Sequence, residues 1–225
     1  ETKNVDSIYL KENAVAFIYV DDPAVWARGD SLAESIAIEV EIWDYIAANF
    51  DMKGEYTRLT RGNPKDFLSM RMSVSLDGTR IQLDNDARIK KMLEYYGMTD
   101  CNPKKQPFTK CQLMDLAASL KAEEFMTEAE NTEHRKFLGE CIWLGGTTDP
   151  MLAPYCSILG KYNARPVKAC IATRKHILQY LKGQLGKCLA PVPGNDEGNE
   201  YWNDTDYAGL FHVDGETRCR NGTLV

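Results

Sequence analysis

The sequence predicts an α+β fold, in which short strands and one long helix precede a hairpin and then a cluster of helices. An apolar run of strand length covers residues 14–20, and an apolar stripe with helical spacing covers 32–50. From Phe67 the apolar period changes to two, which is typical of a hairpin. Because strands and helices occupy separate stretches rather than alternating, this order favours α+β over a parallel α/β sheet.

The first predicted element is a pair of strands at 6–11 and 14–20. The run from Ala14 to Val20 is continuous, apolar and too short for a helix. Asp21-Asp22-Pro23 is a turn sequence that is expected to end this strand, and 24–27 is expected to return as a second arm. The pattern therefore places two adjacent carboxylates at the tip of a hairpin.

A helix is predicted from Ser31, because Glu34 stands three residues later and completes a capping box. The apolar residues that follow recur at spacings of three and four, and we expect them to form one buried stripe. These residues are Leu32, Ile36, Val40, Trp43, Ile46 and Phe50. Residues 51–65 contain glycine, proline and mixed charge, which predicts a loop.

The second half predicts a hairpin followed by helices. Met70, Met72, Val74 and Leu76 alternate with polar residues, Asp77-Gly78 supplies a turn, and Ile81 with Leu83 returns. Asp84 or Asp86 is expected to cap a helix that Gly97 stops. A linker is predicted at 98–112 and a weakly patterned helical segment at 113–130. Three further helices are predicted at about 132–145, 150–162 and 167–183. The residues at 190–200 are expected to form a boundary.

Composition limits the classes of protein that this chain can represent. With 225 residues and 44% hydrophobic content it can form one large or two small domains with a core. It has no apolar run near the roughly 18–20 residues that cross a bilayer, and its N-terminus does not resemble a signal peptide. We therefore expect an intracellular protein without membrane contact. Its seven cysteines form no C-x-x-C pair and are expected to be buried free thiols.

The net charge of −6 is unusual for a protein that binds nucleic acid. Local basic clusters are nevertheless present, and they are expected to be either solvated helix faces or phosphate contacts. These clusters are Lys90-Lys91, Lys104-Lys105, Arg174-Lys175-His176, and Lys182 with Lys187. The three histidines share no motif and are not expected to bind metal, and Trp26, Trp43 and Trp143 are expected in the core rather than as stacking platforms for bases.

Asp21 and Asp22 are the residues that suggest chemistry. Two adjacent carboxylates repel unless a cation neutralises them, and oxygen ligands of this kind suit Mg²⁺, with Mn²⁺ as a substitute. Such an ion keeps open positions for water and phosphate oxygens, as a two-metal nucleotidyl-transfer site requires. The same Tyr-x-Asp-Asp tetrad is also compatible with an ordinary turn, so both interpretations remain open on these residues alone.

Several segments in one order resemble the reverse transcriptases of copia-type retrotransposons. Phe17 to Asp22 resembles their palm hairpin, while 50–53 and 67–70 resemble their "F-x-M-K" and "F-L-G" segments. Further along, 134–139 resembles "Y-R-x-x-x-G", 148–150 resembles "T-R-P-D", and 180–183 resembles "R-Y-L-K-G". Finally, 204–209 is similar to the "S-D-A-D-W-A-G" opening of their ribonuclease H domain, so the resemblance extends over nearly the whole chain.

The resemblance implies a domain plan and a function. Residues 1–112 would be a partial palm with the catalytic hairpin and the primer-grip region, 113–190 a helical thumb and connection, and 191–225 the start of a truncated ribonuclease H domain. The function would be RNA-directed DNA polymerisation within a Pol polyprotein, in a cytoplasmic particle or the nucleus. The implied partners are an RNA template, a DNA primer, a deoxynucleoside triphosphate and the remainder of that polyprotein.

The resemblance also implies residue roles. Asp21 and Asp22 would hold the catalytic Mg²⁺, while Tyr19 and Val20 would shape the hairpin near the primer terminus. Lys182 lies in the thumb and connection helices, which would pack along an RNA–DNA hybrid. Asp204 would match the first carboxylate of ribonuclease H, a residue that needs further acidic partners.

The chain departs from the family at several positions. Nothing before Asp6 supplies the third polymerase carboxylate, Pro23 removes a backbone donor from the returning strand, and Ser69 stands where glycine is usual. Thr148-Asp149-Pro150 lacks the family's arginine, and Cys170 replaces a histidine. We therefore expect no polymerase activity from this chain alone. Alternatives are a catalytically dead relic that binds nucleic acid, or a structural α+β domain whose tetrad is accidental.

Overall fold

The structure is a computed structural model that describes residues 3–5, 8–19, 22–50, 55–190, 202–206 and 220–224. Helices and small antiparallel sheets occur together, which confirms the predicted α+β class. The chain divides into two compact units, residues 1–68 and 69–225. Among the helices within these ranges, none is both long and apolar enough to cross a membrane.

The first unit contains a four-stranded antiparallel sheet in sequence order. Its strands are β1 (Lys3–Val5), β2 (Ile8–Lys11), β3 (Ala14–Tyr19) and β4 (Asp22–Ala27). The predicted strand pair and its returning arm are thus confirmed, with β4 beginning two residues earlier than expected because Asp22 and Pro23 already pair with β3. Helix α1 (Leu32–Asn49) and the short strand β5 (Lys65–Phe67) follow.

Pro23 fits this sheet without the loss of a ladder hydrogen bond. It faces Ile18, and the backbone N–H of Arg28 donates to the carbonyl of Asn13 at 2.8 Å, which marks 13/28 as a hydrogen-bonded pair. Such pairs alternate along an antiparallel ladder, so the Ile18/Pro23 pair is a non-bonded one and the proline nitrogen points to the open edge. Because β4 is an edge strand of this sheet, proline at position 23 is compatible with the fold.

Helix α1 begins as predicted at Ser31, whose hydroxyl accepts a hydrogen bond from the Glu34 backbone N–H at 3.2 Å. The Glu34 carboxylate accepts from the Asp30 N–H at 2.8 Å, one residue before the position of a regular capping box. Trp43 and Ile46 are buried, as the predicted stripe requires. The ends of that stripe were predicted wrongly, because Leu32 and Phe50 are 77% and 54% exposed.

The second unit opens with the predicted hairpin of β6 (Met70–Val74) and β7 (Ile81–Asp84). Ser69, just before β6, has φ +61°, in the left-handed region that favours the glycine usual at this position. Leu76 was expected on the apolar face but lies in the turn and is 93% exposed. Helix α2 (Asp86–Tyr95) follows, with Asp84 accepting from the Asp86 N–H, and Gly97 ends the turn after it at φ +63°.

The remaining helices differ from their predicted ranges: the first two begin earlier, and the last two are shorter at both ends. They are α3 (Lys110–Lys121), α4 (Glu128–Thr147), α5 (Ala153–Gly160) after a 3₁₀ turn at Pro150–Leu152, and α6 (Ala169–Lys182). Thr109 and Thr127 each form a capping box with the residue three positions later, which moves the starts of α3 and α4 towards the N-terminus. The predicted linker therefore ends at Thr109. Phe108, which lies within that linker, is buried, with 3% of its surface exposed.

One continuous core fills the second unit, between α2 and α6. Its largest fully buried side chains include Leu93, Leu116, Phe137, Leu144, Leu152, Leu159, Ile177, Leu178 and Leu181. The described cysteines are free thiols, as expected, and Cys141, Cys156 and Cys170 are buried. The prediction of burial was wrong for Cys111 and Cys188, which are exposed. Strands β8 (Trp202–Asp206) and β9 (Arg220–Leu224) form a separate antiparallel pair, and the predicted boundary from residue 191 on lies outside the described residues.

Candidate active site

The candidate catalytic hairpin is formed by β3 and β4. Their register pairs Tyr19 directly with Asp22, and both side chains are exposed. Val20 and Asp21, which stand between them in the sequence, lie outside the described residues. The structure therefore places Tyr19 and Asp22 at the end of the hairpin, as the sequence predicted, while the role of Asp21 stays a prediction.

Asp22 belongs to the open face of this sheet. Side chains of facing residues share one face, so Asp22 lies on the face of Tyr19, Phe17 and Val15. The Phe17 and Tyr19 rings stack with centroids 6.5 Å apart, and Phe67 meets Phe17 edge-on at 6.3 Å. Ala14 and Ala16 point to the opposite face and are buried, and β4 packs against α1, so we infer that the helix covers that opposite face.

Trp26 lies on the same open face, opposite Val15, and was predicted wrongly as a core residue. It is 40% exposed. A groove of about 530 Å³ passes beside it, with Glu12, Arg28, Asp30 and Glu34 among its lining residues. Three of these side chains are carboxylates and one is a guanidinium, so the lining is net acidic and disfavours an anionic ligand.

A divalent cation at this hairpin would need more than the described side chains. Asp22 offers an exposed carboxylate, the oxygen donor that Mg²⁺ prefers. Within the described ranges, no group of three His, Cys, Asp or Glu side chains is arranged to hold a metal ion. The described residues therefore supply only part of the ligand set that such an ion needs. The remaining oxygen ligands would come from Asp21 or from groups outside those ranges.

The other predicted site residues lie in the second unit. Lys182 occupies the last turn of α6 and is half-exposed. Asp204 lies in β8, where its backbone pairs with Gly222 of β9, and its side chain is outside the described part of the structure. Neither residue belongs to the unit that holds the hairpin.

A polar cluster that sequence analysis missed joins the segments at 148–150 and 180–183. The Tyr180 hydroxyl donates to the Asp149 carboxylate at 2.9 Å, and burial raises the pKa of that carboxyl. The Asn85 side-chain amide donates to the hydroxyls of Thr147 and Thr148 at 3.0 and 2.9 Å. Because these bonds join residues up to 63 positions apart, local patterns could not indicate them, and we assign the cluster a structural role.

His134 is a second buried polar residue of this unit. It is 1% exposed on α4, and no hydrogen-bond partner meets its Nε2 atom within the described residues. Burial, and then the charges of Arg174 and Arg135, together lower its pKa from 6.5 to about 4. A buried neutral imidazole next to two cations suits a packing role better than proton transfer at neutral pH.

The amino-acid sequence is similar to that of a retrotransposon protein. The chain is 23% identical over 203 residues to a protein of Nicotiana tabacum described as "Retrovirus-related Pol polyprotein from transposon TNT 1-94". This match covers 87% of the chain but only 14% of the polyprotein. No family profile and no solved structure matches the chain. The similarity supports an origin from a retrotransposon Pol polyprotein.

Proposed function

We propose that this chain is a segment of the RNA-directed DNA polymerase of a copia-type retrotransposon, with part of the palm, the helical thumb and connection, and the start of ribonuclease H. The observation that carries the proposal is the β3–β4 register, in which Tyr19 faces Asp22 across the residues Val20-Asp21. The similarity to a Pol polyprotein over 87% of the chain adds independent support. Such a function would place the chain in a cytoplasmic particle or the nucleus.

In this function the hairpin orients carboxylates for nucleotidyl transfer. Asp21 and Asp22 would bind Mg²⁺ or Mn²⁺, which when bound would lower the pKa of the primer 3′-hydroxyl and neutralise the departing pyrophosphate. The β3–β4 ladder that leads to the tip would orient the Asp22 carboxylate before a nucleotide arrives. Tyr19 and Val20 would contact the primer terminus, and an RNA template would pair with the incoming deoxynucleoside triphosphate.

A second candidate is a relic that binds nucleic acid without catalysis. It is favoured by the core of the second unit, which is continuous and does not include the hairpin carboxylates. Loss of metal binding would leave such a core intact, so the chain could keep its fold and an affinity for nucleic acid. Metal binding separates this candidate from the first one.

The decisive measurement is titration calorimetry of the chain with Mn²⁺ and with Mg²⁺. We expect binding by the native chain and at least about a tenfold loss of affinity in Asp21→Asn and in Asp22→Asn, because each substitution removes an anionic ligand. Asp44→Asn is the matched control, since Asp44 is an exposed carboxylate of α1 in the same unit. Absence of binding by the native chain, or equal losses in all three variants, contradicts the metal role.

Primer extension on an RNA template measures the reaction itself. We expect no extension by this chain alone, because two carboxylates without the third of the family do not hold both ions. Extension that Asp21→Asn abolishes would mean that the chain contains a complete site and that this expectation is wrong. A chain that neither binds metal nor retains an RNA–DNA hybrid would overturn the proposed function.

A further inference from the structure

Two cysteines meet in the core of the second unit, where α4 packs against α5. The backbones of these helices approach closely, since a Cβ placed on Gly145 would lie 3.2 Å from the backbone nitrogen of Ala153. Cys141 stands about one helical turn before Gly145, and Cys156 stands nearly one turn after Ala153. The two cysteines therefore lie at similar distances, about one turn, from the point where the helices come closest.

The thiols of Cys141 and Cys156 are neighbours. Both residues belong to the continuous core, in which Cys141 is fully buried and 8% of Cys156 is exposed. Burial, and then the adjacent Cys156 thiol, raise the pKa of Cys141. The Cys141 thiol is in turn the main group that lowers the pKa of Cys156. Groups that act on each other in this way lie within roughly 4–6 Å.

Cys170 shows the ordinary environment of a single buried thiol in the same core. It is 1% exposed on α6, and burial raises its pKa to about 11. The other groups that shift this pKa are backbone atoms and Arg174, and none of the described thiols is among them. Cys141 and Cys156 therefore differ from Cys170 in being paired with each other.

We infer that Cys141 and Cys156 are a peroxide-sensitive dithiol, which closes to a disulfide that locks α5 against α4. Cys156 is the more accessible thiol and reacts first: its thiolate attacks one oxygen of hydrogen peroxide, the O–O bond breaks, and a sulfenic acid and hydroxide form. The Cys141 sulfur then attacks the sulfenic sulfur, so that the S–S bond forms and the S–O bond breaks. The two thiols lose two electrons and two protons in total, and one peroxide is reduced to two water molecules.

Hydrogen peroxide suits this pair because it is small. With Cys141 fully buried and Cys156 almost so, a bulky disulfide oxidant would have to displace α5 before it reached either sulfur. The dithiol does not depend on the proposed function, since neither cysteine belongs to the catalytic hairpin. Its closure would join residues 141 and 156 across the turn at Pro150–Leu152.

The test is peptide mapping of the full, folded chain after brief treatment with hydrogen peroxide, with the remaining thiols blocked by iodoacetamide in denaturant. Trypsin releases both cysteines in one peptide, residues 137–161, because no Lys or Arg lies between Lys136 and Lys161. We expect this peptide to carry no alkyl group after peroxide, and to carry two when the chain is reduced before alkylation. Oxidation of Met151 in the same peptide adds an oxygen and leaves both thiols available to iodoacetamide.

Single variants separate the two steps. Cys141→Ala should abolish the disulfide and leave a sulfenic acid on Cys156 that dimedone traps, whereas Cys156→Ala should leave the buried Cys141 unoxidised. Cys170→Ala is the matched control, because it removes a single buried thiol of the same core and should keep the disulfide. Full alkylation of Cys141 and Cys156 in the native chain, at a peroxide concentration that oxidises the exposed Cys111, would overturn the inference.

Thermal unfolding measures the lock itself. Oxidation should raise the thermal midpoint of the native chain and of Cys170→Ala by at least about 4 °C, because the disulfide restricts the unfolded chain. The midpoint of Cys141→Ala should not rise. A native chain that forms the disulfide without a rise in its midpoint would contradict the locking of α5, and pairing of either cysteine with Cys111 or Cys188 would contradict the dithiol.

Discussion

At the scale of single residues, His134 shows how a buried side chain couples stability to pH. Its folded-state pKa of about 4 lies below the ordinary value of 6.5, because burial and nearby Arg174 and Arg135 disfavour the imidazolium. The unfolded chain therefore binds a proton that the folded chain does not bind between these two pH values. Stability from this residue is complete above about 6.5 and is lost as pH falls towards 4.

We predict that the free energy of unfolding decreases by about 3 kcal/mol between pH 7.5 and 4, as the pKa difference implies. Urea unfolding at pH 7.5, 5.5 and 4.5 measures this decrease. His134→Gln should remove most of the dependence of the unfolding free energy on pH above pH 4.5. Hydrogen bonds lower the pKa of Asp77 from 3.8 and that of Glu130 from 4.5, each to about 2, so their stabilising contributions are lost as pH falls through these ranges, and only the loss from Glu130 begins at the acid end of this window. An unchanged pH dependence in the variant would contradict the assignment.

At the scale of elements, the N-terminus of α4 depends on the capping box of Thr127 and Glu130. The Glu130 carboxylate accepts from the Thr127 N–H at 2.8 Å, and the Thr127 hydroxyl accepts from the Glu130 N–H at 3.4 Å. Lys168, immediately before α6, donates to the same carboxylate at 2.7 Å. One glutamate thus connects the starts of two helices.

Thr127→Ala should lower the free energy of unfolding by about 1 kcal/mol, because it leaves N-terminal N–H groups of α4 without a side-chain acceptor. Chemical denaturation monitored by circular dichroism measures the change. Thr132→Ala is the matched control: its hydroxyl donates to the Glu128 carbonyl inside the helix, so its loss should be neutral or slightly stabilising. Equal destabilisation by both substitutions would mean that the cap contributes nothing.

At the scale of the whole molecule, the apolar core is unevenly distributed. Its continuous cluster lies between Ile89 and Leu181, whereas the buried apolar residues in the described part of the first unit are Ala14, Ala16, Trp43 and Ile46. Burial of apolar surface is the dominant favourable contribution to folding. We therefore expect the second unit to provide most of the stability of the chain.

A fragment of residues 69–190 should keep its helical circular dichroism and unfold cooperatively. Phe137→Ala should destabilise both the fragment and the full chain by about 3–5 kcal/mol, since Phe137 is fully buried and meets Tyr96 edge-on at 5.7 Å. Ile142→Ala, on the same helix but 56% exposed, should change stability little. A fragment without helical signal would show that the second unit depends on the rest of the chain.

The sequence by itself determined the α+β class and the elements whose signals are local. Ser31, Thr127 and Gly97 mark helix ends through bonds and backbone angles within a few residues, and the β3–β4 pairing follows from one short connection. The place of Asp22 at the end of its hairpin was therefore predictable. The capping boxes of α3 and α4 were also present in the sequence, although the predicted boundaries did not use them.

Only the tertiary structure decided which apolar residues are buried and which distant polar groups meet. Trp26, Leu32 and Leu76 have the periodicity of core residues, yet they are 40%, 77% and 93% exposed. The bond between Tyr180 and Asp149, and the backbone bond between Lys104 and Gln179, join residues separated by 31 and about 75 positions. Periodicity specifies the face of an element on which a side chain lies, whereas burial and long-range contacts depend on what packs against that face.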